Sequence, residues 1–242
     1  MNSPVILVTG AGKGIGEATV KAILEAADLQ DESSSKPRLV LTARTRVDLE
    51  KLQTLCQQKH FECEILDLEL SSNPTLPIEF TLKRFGRIDT LIHSAGVGKF
   101  GDFLSLTADD LTFVMKTNIE ASFLLMQATY REMQKQKSGD IVWITSTAAE
   151  TAYEQSALYC MSKFAQKGLL EVMRLYARRD GIRIIDVKPG ATLTPMWGEV
   201  TDEMRTQMMA ADDIAQMILS ALALPKRASV EEIVIRPLRG DL

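Results

Sequence analysis

The stretch Val5-Ile-Leu-Val-Thr-Gly-Ala-Gly-Lys-Gly-Ile-Gly16 joins a short apolar run to a cluster of glycines, and helix-compatible sequence then continues from Ile15 to about Ala27. Consecutive apolar and β-branched residues suit a buried strand, and the glycines suit a tight turn into a helix. Glycine takes positive φ and lets the backbone approach closely whatever it faces. Amides at a helix N-terminus, at the positive end of its dipole, favour a phosphate group. The spacing is Gly10-x-x-x-Gly14-x-Gly16. The ordinary dinucleotide fingerprint G-x-G-x-x-G is not met, because Ile15 holds its sixth position. By itself such a loop is also compatible with a plain turn that binds nothing.

Further strand-like runs follow at Arg38 to Thr42, Glu62 to Leu66, Thr90 to His93, Ile141 to Thr145, Ile182 to Val187 and Glu232 to Ile235. Helix-length segments lie between most of them: Asp48 to Lys59, Ala108 to Gln136, Ala157 to Arg179 and Asp212 to Leu222. This alternation predicts an α/β fold built from βαβ units, a parallel sheet with helices on both faces. No internal repeat is present. The low-complexity piece Asp31-Glu-Ser-Ser-Ser-Lys-Pro37 reads as a polar loop between the first helix and the second strand. A ligand is expected outside the carboxyl ends of the strands, near the switch in strand order.

A second signal is Tyr159 with Lys163, four residues apart and therefore on one face of a helix. A free phenol titrates near 10, and a useful acid near neutrality needs a shift of about 3 units, or about 4 kcal/mol. A neighbouring ammonium works in that direction by favouring phenolate. Any amphipathic helix can throw up such a pair, so its weight comes from the rest of the chain.

The chain resembles the short-chain dehydrogenases/reductases almost end to end, in residues that stand in the right order and spacing. Thr9 to Gly16 matches T-G-x-x-x-G-x-G. Asp67-Leu68 matches the acidic position after the third strand that contacts adenine. His93-Ser-Ala-Gly96 stands where the family usually has Asn-Asn-Ala-Gly, a departure at a position that mostly braces the sheet and the cofactor loop. Asn118 falls in a long helix, Ser146 after a strand, and Tyr159 with Lys163 makes the Y-x-x-x-K pair. Pro189-Gly190, Thr192 and Thr194 match the nicotinamide-side loop. The resemblance implies a Rossmann-type, doubly wound parallel sheet and a catalytic set of Asn118, Ser146, Tyr159 and Lys163. Tyr159 would protonate a carbonyl oxygen held by Ser146. Lys163 would lower the phenol pKa and bind the nicotinamide ribose, and Asn118 would hold a water for reprotonation. The implied cofactor contacts run over Gly10, Gly12, Lys13, Gly14, Ile15, Gly16, Arg44, Thr45, Asp67, Leu68, Ala95, Gly96, Tyr159, Lys163, Pro189, Gly190, Thr192 and Thr194.

After the second strand, where NAD enzymes place a carboxylate on the ribose 2′-hydroxyl, the chain reads Thr42-Ala43-Arg44-Thr45. A carboxylate there would repel a 2′-phosphate, whereas the Arg44 guanidinium can pair with one. Lys13 adds a second cation in the glycine loop. With no competing acid expected at these turns, the reading is NADP (NADPH).

The second half looks most like the sepiapterin reductases of that family, the bacterial ones above all. The residues are Tyr159-Cys-Met-Ser-Lys-Phe164, Met173-Arg-Leu-Tyr-Ala-Arg178, Thr194-Pro-Met-Trp-Gly198 and Glu231-Glu-Ile-Val-Ile-Arg-Pro237 with Gly240-Asp241. A pterin needs an apolar or aromatic slab, for which Trp197 beside Met196 is the candidate. It also needs an acceptor for its aminopyrimidine edge, for which Asp241 matches the family's acidic tail. Three readings stay open: a sepiapterin or related carbonyl reductase, a reductase of 3-oxoacyl thioesters or other diketones, and a non-catalytic NADP-binding regulatory protein.

Composition agrees. A chain of 242 residues, 45% hydrophobic, can bury one large core, so residues 1–242 are expected to form a single domain. The net charge of −4 and the lack of a basic stripe speak against nucleic acid. No apolar run reaches the ~20 residues of a membrane span, and no signal peptide is visible. Cys56, Cys63 and Cys160 make neither a disulfide set nor a zinc spacing, so no metal and a cytoplasmic location are expected. The family suggests a homodimer or homotetramer, packed through the helices carrying Asn118 and Tyr159. Leu124, Leu125, Leu169 and Leu170 suit either that partner face or the core.

Overall fold

The computed structural model describes residues 3–28 and 35–240. Seven strands form one parallel sheet: β1 (Val5–Thr9), β2 (Arg38–Ala43), β3 (Cys63–Asp67), β4 (Thr90–His93), β5 (Gly139–Ile144), β6 (Ile182–Pro189) and β7 (Glu232–Ile235). Their order across the sheet is β3-β2-β1-β4-β5-β6-β7, with every neighbouring pair parallel. All seven expected strands are present, with ends displaced by two residues at most. The direction of strand order reverses between β1 and β4, where a doubly wound sheet opens its ligand crevice.

Side chains alternate across the pleat, so each strand feeds two cores. Val8, Leu39, Leu41 and Val187 pack with α1 (Gly14–Asp28), α2 (Arg46–Gln58) and α8 (Ala211–Leu222) through Val20, Leu24, Leu49, Leu52, Ile214 and Ile218. Leu7, Val40, Leu91 and Trp143 face the other way. They meet α3 (Leu76–Phe85), α5 (Ser122–Gln136) and α6 (Ala157–Ala177) through Ile78, Leu125, Met126 and Leu170. A sheet covered on both faces explains the near-continuous apolar runs in its strands.

Three details depart from the sequence reading. The expected helix Ala108 to Gln136 is interrupted: α4 (Ala108–Met115) passes through a π-helical turn, Lys116–Ala121, before α5 begins. Two helices were not expected, α3 and the short α7 (Asp202–Gln207). Proline in the first turn of α3 hides it in the sequence, although proline is tolerated there because the first amides have no partner within the helix. Finally, Leu125 and Leu170 are fully buried, and Leu169 packs against the same core. Of the two roles left open for these leucines, Leu125 and Leu170 take the core, and Leu169 is shared with it in part. The stretch 29–34, which takes in most of the polar loop, lies outside the described residues.

Candidate active site

The β1–α1 turn sets one wall of the site. Gly10 has φ 71°, and a Cβ on it would stand 2.6 Å from the amide nitrogen of Ala95, so the β1 and β4 turns touch only because residue 10 is glycine. A Cβ at Gly16 would collide with the Gly10 carbonyl. Gly16 is a packing residue and does not line the cavity. At Gly14 the chain again has positive φ, and the loop after β6 comes close, Thr194 Cγ2 lying 3.1 Å from where a Cβ would be. α1 starts at Gly14, so its first amides open toward the crevice.

A cavity of about 890 Å³ lies over the carboxyl ends of β1, β4, β5 and β6. Gly10, Gly12, Lys13, Gly14, Ile15, Arg44, Thr45 and Leu68 line one end. Ala95, Gly96, Ser146, Tyr159, Lys163, Pro189, Gly190, Thr192, Thr194 and Trp197 line the rest. Of the expected site residues, Gly16, Asp67 and Asn118 do not line it, and Asp241 lies outside the described residues. Asp67 is exposed and accepts from Arg46 Nη1 at 2.9 Å, while Leu68 takes the wall position, its amide bonded to the Ala43 carbonyl.

The cationic end differs from expectation. Asp48, from the first turn of α2, sits 3.5 Å from Lys13 Nζ, and Glu69 sits 3.7 Å from Arg44 Nε. Both acids line the cavity. Acids are therefore present at these turns. The sequence reading missed them because Asp48 is brought in by the helix start and Glu69 by the turn after β3. Both pairs are long and their cations more than half exposed, a kind of ion pair worth about 0–1 kcal/mol, so either cation can change partner at little cost.

Ser146 stands two residues beyond β5, where its Oγ accepts from the Ala148 amide at 3.1 Å and donates to the Pro189 carbonyl at 3.4 Å. It also hydrogen-bonds the Tyr159 phenol. Tyr159 and Lys163 share a face of α6. Lys163 Nζ lies 5.5 Å from the centre of the Tyr159 ring and donates to the carbonyl of Ile144 at 3.2 Å. This corrects the expected electrostatics. Burial pushes the phenol up to about 12, with the Ser146 bond working against it, and burial pushes Lys163 down to about 8, opposed by Asp186. The ammonium lies against the ring and reaches for the backbone. In this state it does not make the phenol acidic.

Asn118 sits inside the π-turn, fully buried. Its Oδ1 accepts from the Val97 amide at 2.9 Å, and its Nδ2 donates to the Val97 carbonyl at 2.8 Å and to Ser162 Oγ at 3.0 Å. Its own carbonyl accepts from Gln166 Nε2 at 2.8 Å. The widened turn frees that carbonyl from the helical ladder, a common use of π-turns near functional sites. Here Asn118 fastens the β4 loop to α6.

His93 replaces the family's asparagine with a buried ring. Its Nδ1 and Thr9 Oγ1 are 2.7 Å apart, its Nε2 and Ser122 Oγ 3.1 Å, and the ring centre lies 4.0 Å from that of Trp143. Burial, helped by the charge of Lys163, pushes it down to about 3. Between that value and the ordinary 6.5 of an unfolded chain the unfolded state binds the extra proton, so stability falls as pH drops through this window. At pH ~4.5 the loss from this ring alone is about 2–3 kcal/mol. His93→Asn is expected to be weaker at pH 7, from lost packing on Trp143, and to lose less than the parent between pH 7 and pH 4.5 in urea unfolding. Equal losses in the two proteins would assign the acid sensitivity elsewhere.

Sequence reasoning missed several residues of the substrate half. The Phe100 ring centre is 5.4 Å from that of Tyr159, and Phe100 lines the cavity with Tyr153, Glu154 and Gln155, beside the expected Met196. Gln155 has φ 59°, uncommon without glycine, and its carbonyl accepts from the Gly101 amide at 2.8 Å, tying these two walls together. The available signal was an aromatic residue in the glycine-rich Gly96-Val-Gly-Lys-Phe-Gly101, which buries nothing as a strand or helix.

The sequence pattern of the short chain dehydrogenases matches residues 4–205, and the chain belongs to that family of oxidoreductases. Among curated relatives it is 44% identical over 240 residues to a sepiapterin reductase of Chlorobaculum tepidum, covering 98% of each chain. It is 30% identical to an uncharacterized oxidoreductase of Staphylococcus saprophyticus, covering 96% of this chain and 95% of that one. Among solved structures, an alcohol dehydrogenase of the archaeon Thermococcus sibiricus complexed with 5-hydroxy-NADP superposes with TM-score 0.87 at 24% identity, covering 100% and 99% of the two chains. A metagenomic short-chain oxidoreductase in complex with NADP superposes with TM-score 0.80 at 27% identity, covering 97% and 96%.

Proposed function

We propose that the protein is an NADPH-dependent carbonyl reductase whose substrate is sepiapterin or a related pterin ketone. The observation that carries the chemistry is the convergence of Ser146, Tyr159 and Lys163 on one cavity whose other end is a glycine-rich loop with the cations Lys13 and Arg44. That loop fits a dinucleotide: Gly10, Gly12 and Gly14 line the cavity, and a Cβ on any of them would press on Ala95, Ala43 or Thr194 and push the loop out of place. Gly12 to Ile15 and the first turn of α1 would hold the pyrophosphate, Arg44 and Lys13 the 2′-phosphate, and Lys163 the nicotinamide ribose. Bound NADPH would supply a hydride to the carbonyl carbon. Ser146 would hold the carbonyl oxygen and Tyr159 would give it the phenol proton, a step worth roughly 10²–10⁴-fold. A phenol pushed up is the weaker acid, but it holds its proton at neutral pH, and the alkoxide that would form as hydride arrives is basic enough to take it.

The pterin reading rests on the 44% relative and on two aromatic residues, Phe100 and Trp197, that line the substrate half. A flat bicyclic ring suits such a slot. Asp241, or Glu154 on the cavity wall, would accept from the aminopyrimidine edge. A small diketone or a 3-oxoacyl thioester needs neither. Trp197→Ala is expected to lower kcat/KM for sepiapterin by about tenfold, from the lost apolar contact together with about 0.5–1.5 kcal/mol for an aromatic pair beyond area burial, and to affect a small diketone little. Equal effects on sepiapterin, the diketone and acetoacetyl thioester would remove the pterin assignment and leave a general reductase.

Assembly as a homo-oligomer fits an exposed apolar stripe along α6, Met161, Phe164, Val172 and Leu175, with Phe123 on α5. Among the described residues no helix is long and apolar enough to cross a membrane. Work in the cytoplasm accords with three free cysteines. If the stripe joins two copies, Phe164→Glu should lower the mass seen by sedimentation, and an unchanged mass would place the contact elsewhere.

A further inference from the structure

β6 turns Asp186 and Lys188 toward α6, on the face that also carries Ile182 and Ile184, and neither has any exposed surface. Thr145 donates to Asp186 Oδ1. The other oxygen, Oδ2, has no hydrogen-bond partner and lies 3.7 Å from Lys188 Nζ. Lys188 pairs in turn with Glu150 and with Glu232 Oε2 at 2.9 Å. Arg174 stands 3.5 Å from Glu232, and Lys167 stands 3.0 Å from Glu150. Lys163 donates to the carbonyl of Ile144, the residue before the threonine that holds Asp186. The charged groups around Asp186 are thus Lys163, Lys167 and Arg174 from α6, Glu150 from the turn after β5, Lys188 on β6 and Glu232 on β7. His93 on β4, which also feels Lys163, is held neutral by burial.

A carboxylate carried into the interior costs several kcal/mol after relaxation, and its neighbours on this face of β6 show that apolar packing was available. Its half-satisfied state needs another reason. We propose that Asp186 is the counter-charge of Lys163, keeping the ammonium protonated in a buried site, and that Lys188 limits how much of that charge Lys163 feels. Asp186 is then a positioning residue, acting on substrate and cofactor through Lys163 alone. The electrostatics agree at Lys163, whereas the cations that act on Asp186 itself are Lys188 and Arg174. Burial drives Lys163 down and Asp186 draws it back up, while burial pushes Asp186 itself up and its bond to Thr145, with Lys188 and Arg174, resists this.

The inference rests on the reductase reading, in which protonated Lys163 holds the nicotinamide ribose. The test therefore follows both NADPH affinity, by fluorescence of the bound nucleotide, and turnover with the best carbonyl substrate, as functions of pH. Asp186→Asn keeps the shape of the side chain and removes its charge. Its alkaline limb, in binding and in kcat/KM, is expected about one pH unit or more below that of the parent. Lys188→Met removes the nearer of the two cations that act on Asp186, leaving Arg174, and its limb is expected above the parent's. A purely structural role would lower activity at every pH and leave the limb where it was. That result in Asp186→Asn overturns the proposal, and if Asp186→Asn does not fold, an unmoved limb in Lys188→Met overturns it. A parent enzyme that binds NADPH yet reduces none of the carbonyls tried would end the reductase reading and leave the binding limbs to decide the role of Asp186.

Discussion

Tyr159→Phe is expected to lower carbonyl reduction by roughly 10²–10⁴-fold while NADPH affinity stays nearly unchanged. The variant loses one hydroxyl and keeps the ring that packs beside Phe100 and beneath Lys163. With the phenol as the group that protonates the carbonyl oxygen, its loss strikes the chemical step. A fall in kcat and kcat/KM together, with unaltered nucleotide binding, is the pattern of an interaction made only in the transition state. Turnover at the parent rate under saturating NADPH would remove Tyr159 from the mechanism and make Ser146 or a water the proton source.

Arg44→Asp is expected to weaken NADPH by roughly tenfold to a hundredfold, from the about 1.5–3 kcal/mol of a hydrogen bond to a charged group. NADH, without the 2′-phosphate, should be held as well as before. The change also sets two acids side by side, since Glu69 lies 3.7 Å from Arg44. Asp48 beside Lys13 makes the cofactor corner more acidic than the sequence implies, and in the proposed reading Arg44 would be the cation that tips it toward phosphate. Equal losses for the two nucleotides would mean that Arg44 supports the loop and does not read the phosphate.

The sheet was legible because a strand buried on both faces writes itself as a plain apolar run, as Leu39-Val-Leu41 and Ile141-Val-Trp-Ile144 do. α3 was not, because Leu76-Pro77 looks like a break when it is a first turn. The π-turn at Asn118 was hidden for a different reason. It is set by tertiary partners, Val97, Ser162 and Gln166, that lie far away in sequence. The glycine loop, Ser146, Tyr159 and Lys163 carried local signals strong enough to place them in one site. Their electrostatics could not be read the same way, since both the phenol and Lys163 are shifted first by burial, and what opposes it at Lys163 is Asp186, a residue the motif does not contain. Phe100 and Glu154 were missed because the substrate wall is made of loops whose positions depend on contacts such as Gln155 with Gly101.

The most direct measurement is the rate at which the purified enzyme oxidises NADPH on addition of sepiapterin, read against NADH and against a diketone and acetoacetyl thioester at equal concentration. An NADPH-dependent pterin reductase should oxidise NADPH mole for mole with the pterin it reduces, faster than with either other carbonyl and much faster than with NADH. NADPH bound but left unoxidised with every carbonyl would contradict that function.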